Sequence, residues 1–172
     1  MEKIILGLKR KKLLLKIFIL VFIILLLSSY IYEKITNDVP SNIPDVTIKY
    51  NGESITTSFG EYTWLQSFSK DQPKAGNSYL VGLSYDVGMT LSRFSAKPNS
   101  YIEVIFDSAP PEILLRTWVV GDTKNETSTK LNSSRKINTI TLPDKKGEYI
   151  YEVQGYWSNT NFTSTIFRVL VE

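Results

Sequence analysis

The chain contains no histidine and no cysteine, and their absence removes most of the chemistry that protein side chains perform. It excludes Ser-His-Asp triads, Cys-His dyads and ordinary zinc sites. The glycine-rich motif G-x-x-x-x-G-K-S/T, whose backbone amides cradle phosphates, is also missing. The sequence therefore predicts neither a metal site nor a bound cofactor, and only hydroxyls, amines, carboxylates and aromatic rings remain as candidates.

Two serine–lysine pairs have the S-x-x-K spacing of a hydroxyl nucleophile that a neighbouring amine deprotonates. They are Ser67 with Lys70 and Ser133 with Lys136. This spacing serves the chemistry on a helix, where residues three apart share a face. Neither pair lies in a helical pattern, and no S-D-N or K-T-G motif accompanies them. We interpret both pairs as coincidences of composition and predict no catalytic residue.

Carboxylates are the other candidates for catalysis. Glu148 and Glu152 fall on the same face of a predicted strand, and four residues at about 3.3 Å each separate them by about 13 Å. Glycosidases need about 5–9.5 Å between their two carboxyl groups, so we interpret this pair as solvated charge. Asp107, Asp122 and Glu126 lie in predicted loops and could ligate calcium, but they lack a D-x-D spacing.

Aromatic side chains offer a binding surface instead. Tyr62 and Trp64 precede a long polar loop, where such a pair could stack on a sugar or a peptide. Tyr156 and Trp157 stand beside the predicted turn S-N-T-N. We take these four as candidate binding residues, and the alternative is that they pack along an edge of the fold.

Short strands must position these residues. V-T-I-K-Y and E-S-I-T-T alternate on either side of Asn51-Gly52, which is the strongest short signal for a hairpin. Seven or more such strands after residue 45 predict an all-β antiparallel sandwich. Trp118 and the G-x-Y-x-Y run that contains Tyr149 favour an immunoglobulin-like sandwich, with Trp118 in the core and Tyr149 as the tyrosine corner. A closed barrel is the alternative.

Three segments lack a clear strand pattern. Ser69–Ser78 is polar and reads as a loop, and Asp122–Ser134 reads as a polar loop or a weak edge strand. Tyr79–Met89 contains two glycines, which weaken a helix, so we predict irregular structure or one short turn there.

An apolar segment precedes this domain. Leu13–Tyr32 carries a single charge, on Lys16, and twenty residues of helix rise about 30 Å, the thickness of a bilayer's hydrocarbon core. We predict a transmembrane helix over 13–32 that contacts membrane lipid. A cleaved signal peptide is the rival reading, but Ser28 and Ser29 offer few small residues for cleavage.

The charges around this segment predict its orientation. Residues 1–16 carry six of the 20 Lys and Arg but one of the 17 Asp and Glu, which leaves 14 basic and 16 acidic residues in the remainder. The positive-inside rule then places residues 33–172 outside the membrane, and the near-neutral remainder lacks the basic surface of a nucleic-acid-binding protein. The predicted order is a cytoplasmic segment 1–12, the helix 13–32, a stalk 33–43 and an extracytoplasmic domain 44–172.

The order of several motifs is familiar. G-x-Y-x-W at Gly60–Trp64 is followed by a proline turn, an I-x-V-x-F strand and L-P-x-x-x-G-x-Y-x-Y-x-V at Leu142–Val153. This order resembles small membrane-anchored or lipoprotein-like envelope proteins of Gram-positive bacteria, a group that supplies no established activity. Its members carry a cysteine where this chain has Thr63, so the resemblance implies no disulfide or thiol role here.

These observations together predict an interaction module rather than an enzyme. We expect a membrane-anchored extracytoplasmic domain of the cell envelope that binds an envelope component or another membrane protein. The alternatives are a carboxylate-dependent cell-wall hydrolase and an accessory or sensor subunit of a membrane protein complex.

Overall fold

A computed structural model describes residues 14–29, 39–66, 75–80, 82–131 and 135–172. The chain forms two compact units, one of residues 1–38 and one of Val39–Glu172. In the first unit, helix α1 covers residues 14–29, and its large apolar side chains are exposed, Phe18 by 70%. No helix within the described ranges is both long and apolar enough to cross a membrane. The predicted span 13–32 extends past the described helix at both ends.

The second unit consists mainly of strands. Within its described residues there are eleven strands, and helix α2 covers Ser84–Thr90. The strands are β1 Val46–Tyr50, β2 Glu53–Ser54, β3 Ser58–Gln66, β4 Ala75–Tyr79, β5 Phe94–Ala96, β6 Tyr101–Phe106, β7 Glu112–Val119, β8 Asp122–Leu131, β9 Ile137–Thr141, β10 Gly147–Ser158 and β11 Asn161–Val171.

The strands form two sheets. The smaller sheet has the order β2-β1-β6-β9, and the larger has the order β4-β3-β11-β10-β7-β8. Neighbouring strands in these orders are antiparallel, while β5 runs parallel to the last residues of β11. Two sheets with separate edges make a sandwich and not a closed barrel, so the prediction of an antiparallel β-sandwich is confirmed.

The two inner faces meet in one hydrophobic core. Alternation along the strands turns every second residue inward, and these inward positions are apolar and buried. The smaller sheet contributes Ile48, Ile102, Val104 and Phe106, and the larger contributes Leu115, Tyr149, Tyr151, Val153, Phe167 and Val169. Tyr151 and Phe167 stack with ring centroids 5.1 Å apart. Val39 and Ile43 also pack against this core, so the compact unit starts ahead of the predicted boundary at residue 44.

The β1–β2 hairpin forms where the Asn-Gly pair predicted it. Asn51 and Gly52 have φ angles of 52° and 83°, and both therefore occupy the left-handed region that a type I′ turn requires. Lys49 pairs with Ser54 across the turn.

The prediction for Tyr79–Met89 was irregular structure or one short turn, and its second half instead forms the seven-residue helix α2. The helix packs on the outer face of the larger sheet, where Ile150 and Ile166 form a second buried cluster with Trp118. A Cβ atom on Gly88 would collide with the Ile150 side chain. The glycine that counted against a helix is thus the residue that lets this helix approach the sheet.

Trp118 corrects a second prediction. It is 5% exposed, but it lies under α2 and not between the sheets. On β7 the inward positions belong to Ile113 and Leu115, and Trp118 pairs with Ile150 on the opposite face. A strand covered on both faces is apolar on both, so the sequence alternation does not tell which face meets the other sheet.

Two polar segments contain edge strands, which confirms the edge-strand alternative for Asp122–Ser134 and corrects the predicted loop at Ser69–Ser78 in its described part. Asp122–Leu131 is a full edge strand that pairs with β7 along most of its length. Ala75–Tyr79 pairs with β3 at the other edge of the larger sheet, while residues 69–74 of that predicted loop lie outside the described residues.

Candidate functional site

A cleft of about 520 Å³ opens where the edge strands of the two sheets, β8 and β9, lie on the same side of the sandwich. Residues of β7 and β10 also line it. Threonines dominate its walls: Thr117, Thr127, Thr129, Thr139 and Thr141. Threonine hydroxyls donate and accept hydrogen bonds, and none of the described residues that line the cleft is charged. The cleft therefore suits a neutral, hydrogen-bonding ligand.

Leu115 and the rings of Tyr149 and Tyr151 also line this cleft. The Tyr149 hydroxyl donates a 2.8 Å hydrogen bond to the backbone carbonyl of Lys145, which is the backbone contact that the tyrosine-corner prediction requires. Burial raises the pKa of Tyr149 and raises that of Tyr151 further. Both phenols therefore stay neutral and act as structural parts of this wall.

The backbone of β9 presents unused hydrogen-bonding groups beside the cleft. Phe106 N–H donates to the Lys136 carbonyl and Leu142 N–H donates to the Ser100 carbonyl. In an antiparallel ladder, residue pairs that are hydrogen-bonded alternate with pairs that are not. Since Lys136 and Leu142, which flank β9, are hydrogen-bonded in this way, the even-numbered residues of β9 form the backbone hydrogen bonds to β6. The N–H and C=O groups of Ile137, Thr139 and Thr141 consequently point away from β6, and no described strand pairs with that side.

The outer face of the larger sheet holds a buried ionic network. Glu152 has no exposed surface; it accepts a hydrogen bond of 2.6 Å from the Ser164 hydroxyl and one of 3.0 Å from Arg116 Nη1. Arg116 also makes two 2.6 Å hydrogen bonds to the two carboxylate oxygens of Glu126, and its guanidinium lies 5.0 Å from the centre of the Trp118 ring. The network joins β8, β7, β10 and β11.

Charge pairing explains the electrostatics of this network. Hydrogen bonds to Glu126 raise the pKa of Arg116, and the same bonds lower the pKa of Glu126. The prediction that Glu152 is solvated charge is wrong, because its carboxylate has no exposed surface and is paired with Arg116 and Ser164. Glu148 on the same face is held by Arg168 at 2.6 Å and by Arg93 at 3.3 Å.

The structure places the predicted binding residues in three different environments. Trp64 and Trp157 are buried, 2% and 3% exposed, and their rings meet edge to face at 5.3 Å. Tyr62 pairs with Thr163 on the inner face of the larger sheet and stacks on Tyr79 at 5.7 Å. The structure therefore brings the two tryptophans together, but in the core and out of reach of a surface ligand.

Tyr156 lies on the opposite, outer face of β10. Its hydroxyl donates to Gln154 Oε1 at 2.9 Å, and its ring stacks on Phe162 at 5.5 Å. Burial raises its pKa. Tyr62 and Tyr156 thus face different sides of the larger sheet, and the four predicted residues do not form one site.

The remaining candidates from the sequence give no site either. Ser67 and Lys70 lie outside the described residues, as does Ser133 of the second pair. Asp122 accepts hydrogen bonds from the Lys124 backbone and the Asn125 side chain. Among the described residues, no three acidic side chains are grouped as metal ligands.

Sequence reasoning missed the threonine cleft. Its signal was present in T-K-N-E-T-S-T-K, where Thr127 and Thr129 alternate with charged or small residues as in a strand. A polar strand of this composition is rare in a core, so the pattern predicted a loop or a weak edge strand and did not indicate a cleft.

Comparison of the chain with protein-family models, with curated protein sequences and with solved structures gives no significant match.

Proposed function

We propose that this chain is a membrane-anchored extracytoplasmic interaction module. Its second compact unit, Val39–Glu172, here called the β-domain, binds its partner in the cleft between β7, β8 and β9. The observation that carries this proposal is the cleft itself. It is open, uncharged along the described walls and rich in hydroxyls, and it lies beside backbone groups of β9 that no described strand satisfies.

The sequence and the exposure of α1 support the proposed membrane anchor. The run Leu13–Tyr32 has the length and composition of a membrane span. Its described part exposes one large apolar side chain after another, each by 46–70%. A bilayer would cover this surface, which in water costs about 25 cal/mol per Å². The basic residues before it give the orientation, with residues 33–172 outside.

The immunoglobulin-like reading belongs to the same proposal. Three features support it: β1, β6 and β9 are neighbours in one sheet, β8, β7, β10 and β11 follow one another in the other, and β5 pairs in parallel with the end of β11. Sandwiches of this type use Tyr at the start of the penultimate strand as a corner, where Tyr149 stands. Such domains commonly serve as recognition modules on cell surfaces, although a fold by itself does not define a function.

The carboxylates of Glu148 and Glu152 are paired with arginines, and this favours a binding role over a hydrolytic one. Glu152 is buried against Arg116, and Glu148 is held by Arg168. Neither faces an open cleft with a second free carboxylate, as glycoside hydrolysis requires. The threonine cleft is open, but its described residues offer hydroxyls and no carboxylate or amine that could act as a general acid or base.

Capture of partners from cell envelopes tests the proposal. The full chain is isolated in mild detergent after chemical cross-linking in cells, and it should retain a bound partner. Thr129→Arg should abolish this binding, because the arginine side chain would fill the cleft. Ser128→Arg is the matched control, because residue 128 is on the opposite face of the same strand. Partners retained equally by wild type and both variants would contradict a binding role for the cleft.

A further inference from the structure

We infer that the cleft receives an extended peptide strand of a partner protein, which adds to the free edge of β9 and carries acidic residues at its ends. This inference rests on the proposed function, because it names the class of ligand that the cleft takes.

The free edge of β9 is the first argument. Ile137, Thr139 and Thr141 each direct one N–H and one C=O away from β6, as the register with β6 requires. A peptide strand offers carbonyls and amides in the same alternation, and addition to an exposed edge is a common way to bind peptides. A sugar or a small molecule would not reproduce this two-residue repeat.

The facing wall is the second argument. A strand added beside β9 would continue the smaller sheet, and its inward side chains would reach the wall formed by Leu115, Thr117 and Thr129. The five residues of β9 span about 13 Å, so about five residues of the partner would be paired. Because this wall holds no charge among its described residues, the central side chains of the partner are small or β-branched and neutral.

Charge complementarity is the third argument. Arg135 and Lys136 stand immediately before β9, and Lys145 and Lys146 lie in the turn after it. All four are exposed, and none of them forms an ion pair with another described residue. Asp144 is the acidic neighbour in that turn. Basic side chains therefore flank both ends of β9, and acidic residues on each side of a peptide paired with β9 would meet them.

A peptide selection tests this inference. The full chain in detergent micelles is panned against a display library of random nine-residue peptides at about 50 mM salt, where charge attraction is weakly screened. The expected peptides have Val, Thr, Ser or Ile in the centre and Asp or Glu at the ends. Synthetic copies with alternate backbone nitrogens methylated should bind at least about tenfold more weakly, since methylation removes donors of the added strand.

Variants of the edge strand give the matched comparison. Thr139→Pro removes one outward N–H, and it leaves the β6 ladder intact because that N–H does not bond to β6; prolines are tolerated on edge strands for this reason. It should weaken binding about tenfold. Lys145→Glu with Lys146→Glu should also weaken binding, whereas Lys49→Glu, two strands away, should not.

The outcomes separate the two proposals. If no peptide is enriched, or if methylated peptides and Thr139→Pro bind like their controls, strand addition is overturned. The proposed function survives that result when Thr129→Arg still abolishes capture from envelopes. A dimer of the chain that Thr139→Pro dissociates would identify a second copy as the occupant and would overturn the assignment to a partner peptide. If Thr139→Pro fails to fold, the methylated peptides decide.

Discussion

Nη1 of Arg116 lies 3.0 Å from a carboxylate oxygen of Glu152, a side chain without exposed surface on the outer face of the larger sheet. Arg116 itself keeps 31% of its side chain exposed and binds Glu126 with its other two nitrogens. One arginine thus connects a carboxylate that water reaches with one that it does not. We therefore expect the loss of Arg116 to destabilise the outer face more than the loss of either glutamate.

Arg116→Met should destabilise the β-domain by about 3 kcal/mol, because it leaves the Glu152 carboxylate buried with only the Ser164 hydroxyl as partner. The double variant Arg116→Met with Glu152→Leu should recover most of this loss, since it removes the buried charge as well. Urea unfolding followed by fluorescence measures both. Equal destabilisation of the single and the double variant would show that the network contributes through packing and not through charge.

Acid should weaken the same network through Glu126. Its pKa is lowered in the folded protein by the hydrogen bonds from Arg116, so the stability that it contributes is present above its unfolded pKa of about 4.3 and is lost as the pH falls through the folded value. Glu126→Gln should therefore lose less stability than wild type when the pH falls from about 5 to about 3. Because Glu126 is 34% exposed, we expect a small difference. Urea midpoints across this range measure it, and parallel curves for the two proteins would contradict the prediction.

Tyr149→Phe should cost about 1–2 kcal/mol, because the carbonyl of Lys145 loses its hydrogen-bond donor in a partly buried setting. Tyr149→Ala should cost about 3–5 kcal/mol, as large-to-small changes in a core do. Tyr156→Ala is the control on the opposite face of β10 and should cost less than half as much. Urea melts of the three variants provide the comparison. If Tyr156→Ala costs more than Tyr149→Ala, the corner does not stabilise the domain as described.

Gly88→Ala should destabilise the domain by about 1–3 kcal/mol although alanine favours helices, because the added methyl group meets Ile150. Ile150→Val shortens the side chain that the added methyl group meets, so the double variant Gly88→Ala with Ile150→Val should recover part of the lost stability. Met89→Ala, at an exposed position of the same helix, serves as the control and should have little effect. Thermal melts by circular dichroism measure the series, and a stabilising Gly88→Ala would show that α2 does not pack on the sheet at this distance.

The proposed topology makes its own prediction. Protease added to intact cells should digest residues 33–172 and spare the basic segment that precedes the apolar run, because that segment lies on the cytoplasmic side. Immunoblotting with tags at the two ends measures both fragments. Complete protection of the C-terminal tag would contradict the orientation, and a β-domain found in the medium would indicate that the N-terminal segment is cleaved.

Strong local signals made the β-rich fold predictable. The Asn51-Gly52 pair fixed one hairpin through backbone conformation, and the alternation around Tyr149, Tyr151 and Val153 gave the inner face of β10. Such signals are local, because a turn and a two-residue period need no knowledge of the rest of the chain.

Other features depend on what lies opposite a residue, which one sequence does not reveal. Trp118 is buried because it packs with Ile150 and Ile166 beside residues of α2, and Gly88 permits that contact. Glu152 can be buried because Arg116 and Ser164, on the two neighbouring strands, pair with its carboxylate. The cleft was missed for the same reason. Thr129 and Thr139 belong to different sheets, and nothing in either strand indicates that the two edges face a common space.

The position of β11 in the larger sheet affects how the chain folds. This strand pairs with β10 on one side and with β3 and β5 on the other, yet the ribosome makes it after all the other strands described here. Until residues 161–171 emerge, β3 and β5 have no neighbour to join them to β10. Domains usually fold as units during synthesis, and contacts between distant segments slow folding. The chain should therefore remain a substrate for holding chaperones until β11 is made, and a ribosome stalled before residue 161 should carry a β-domain that is sensitive to protease throughout.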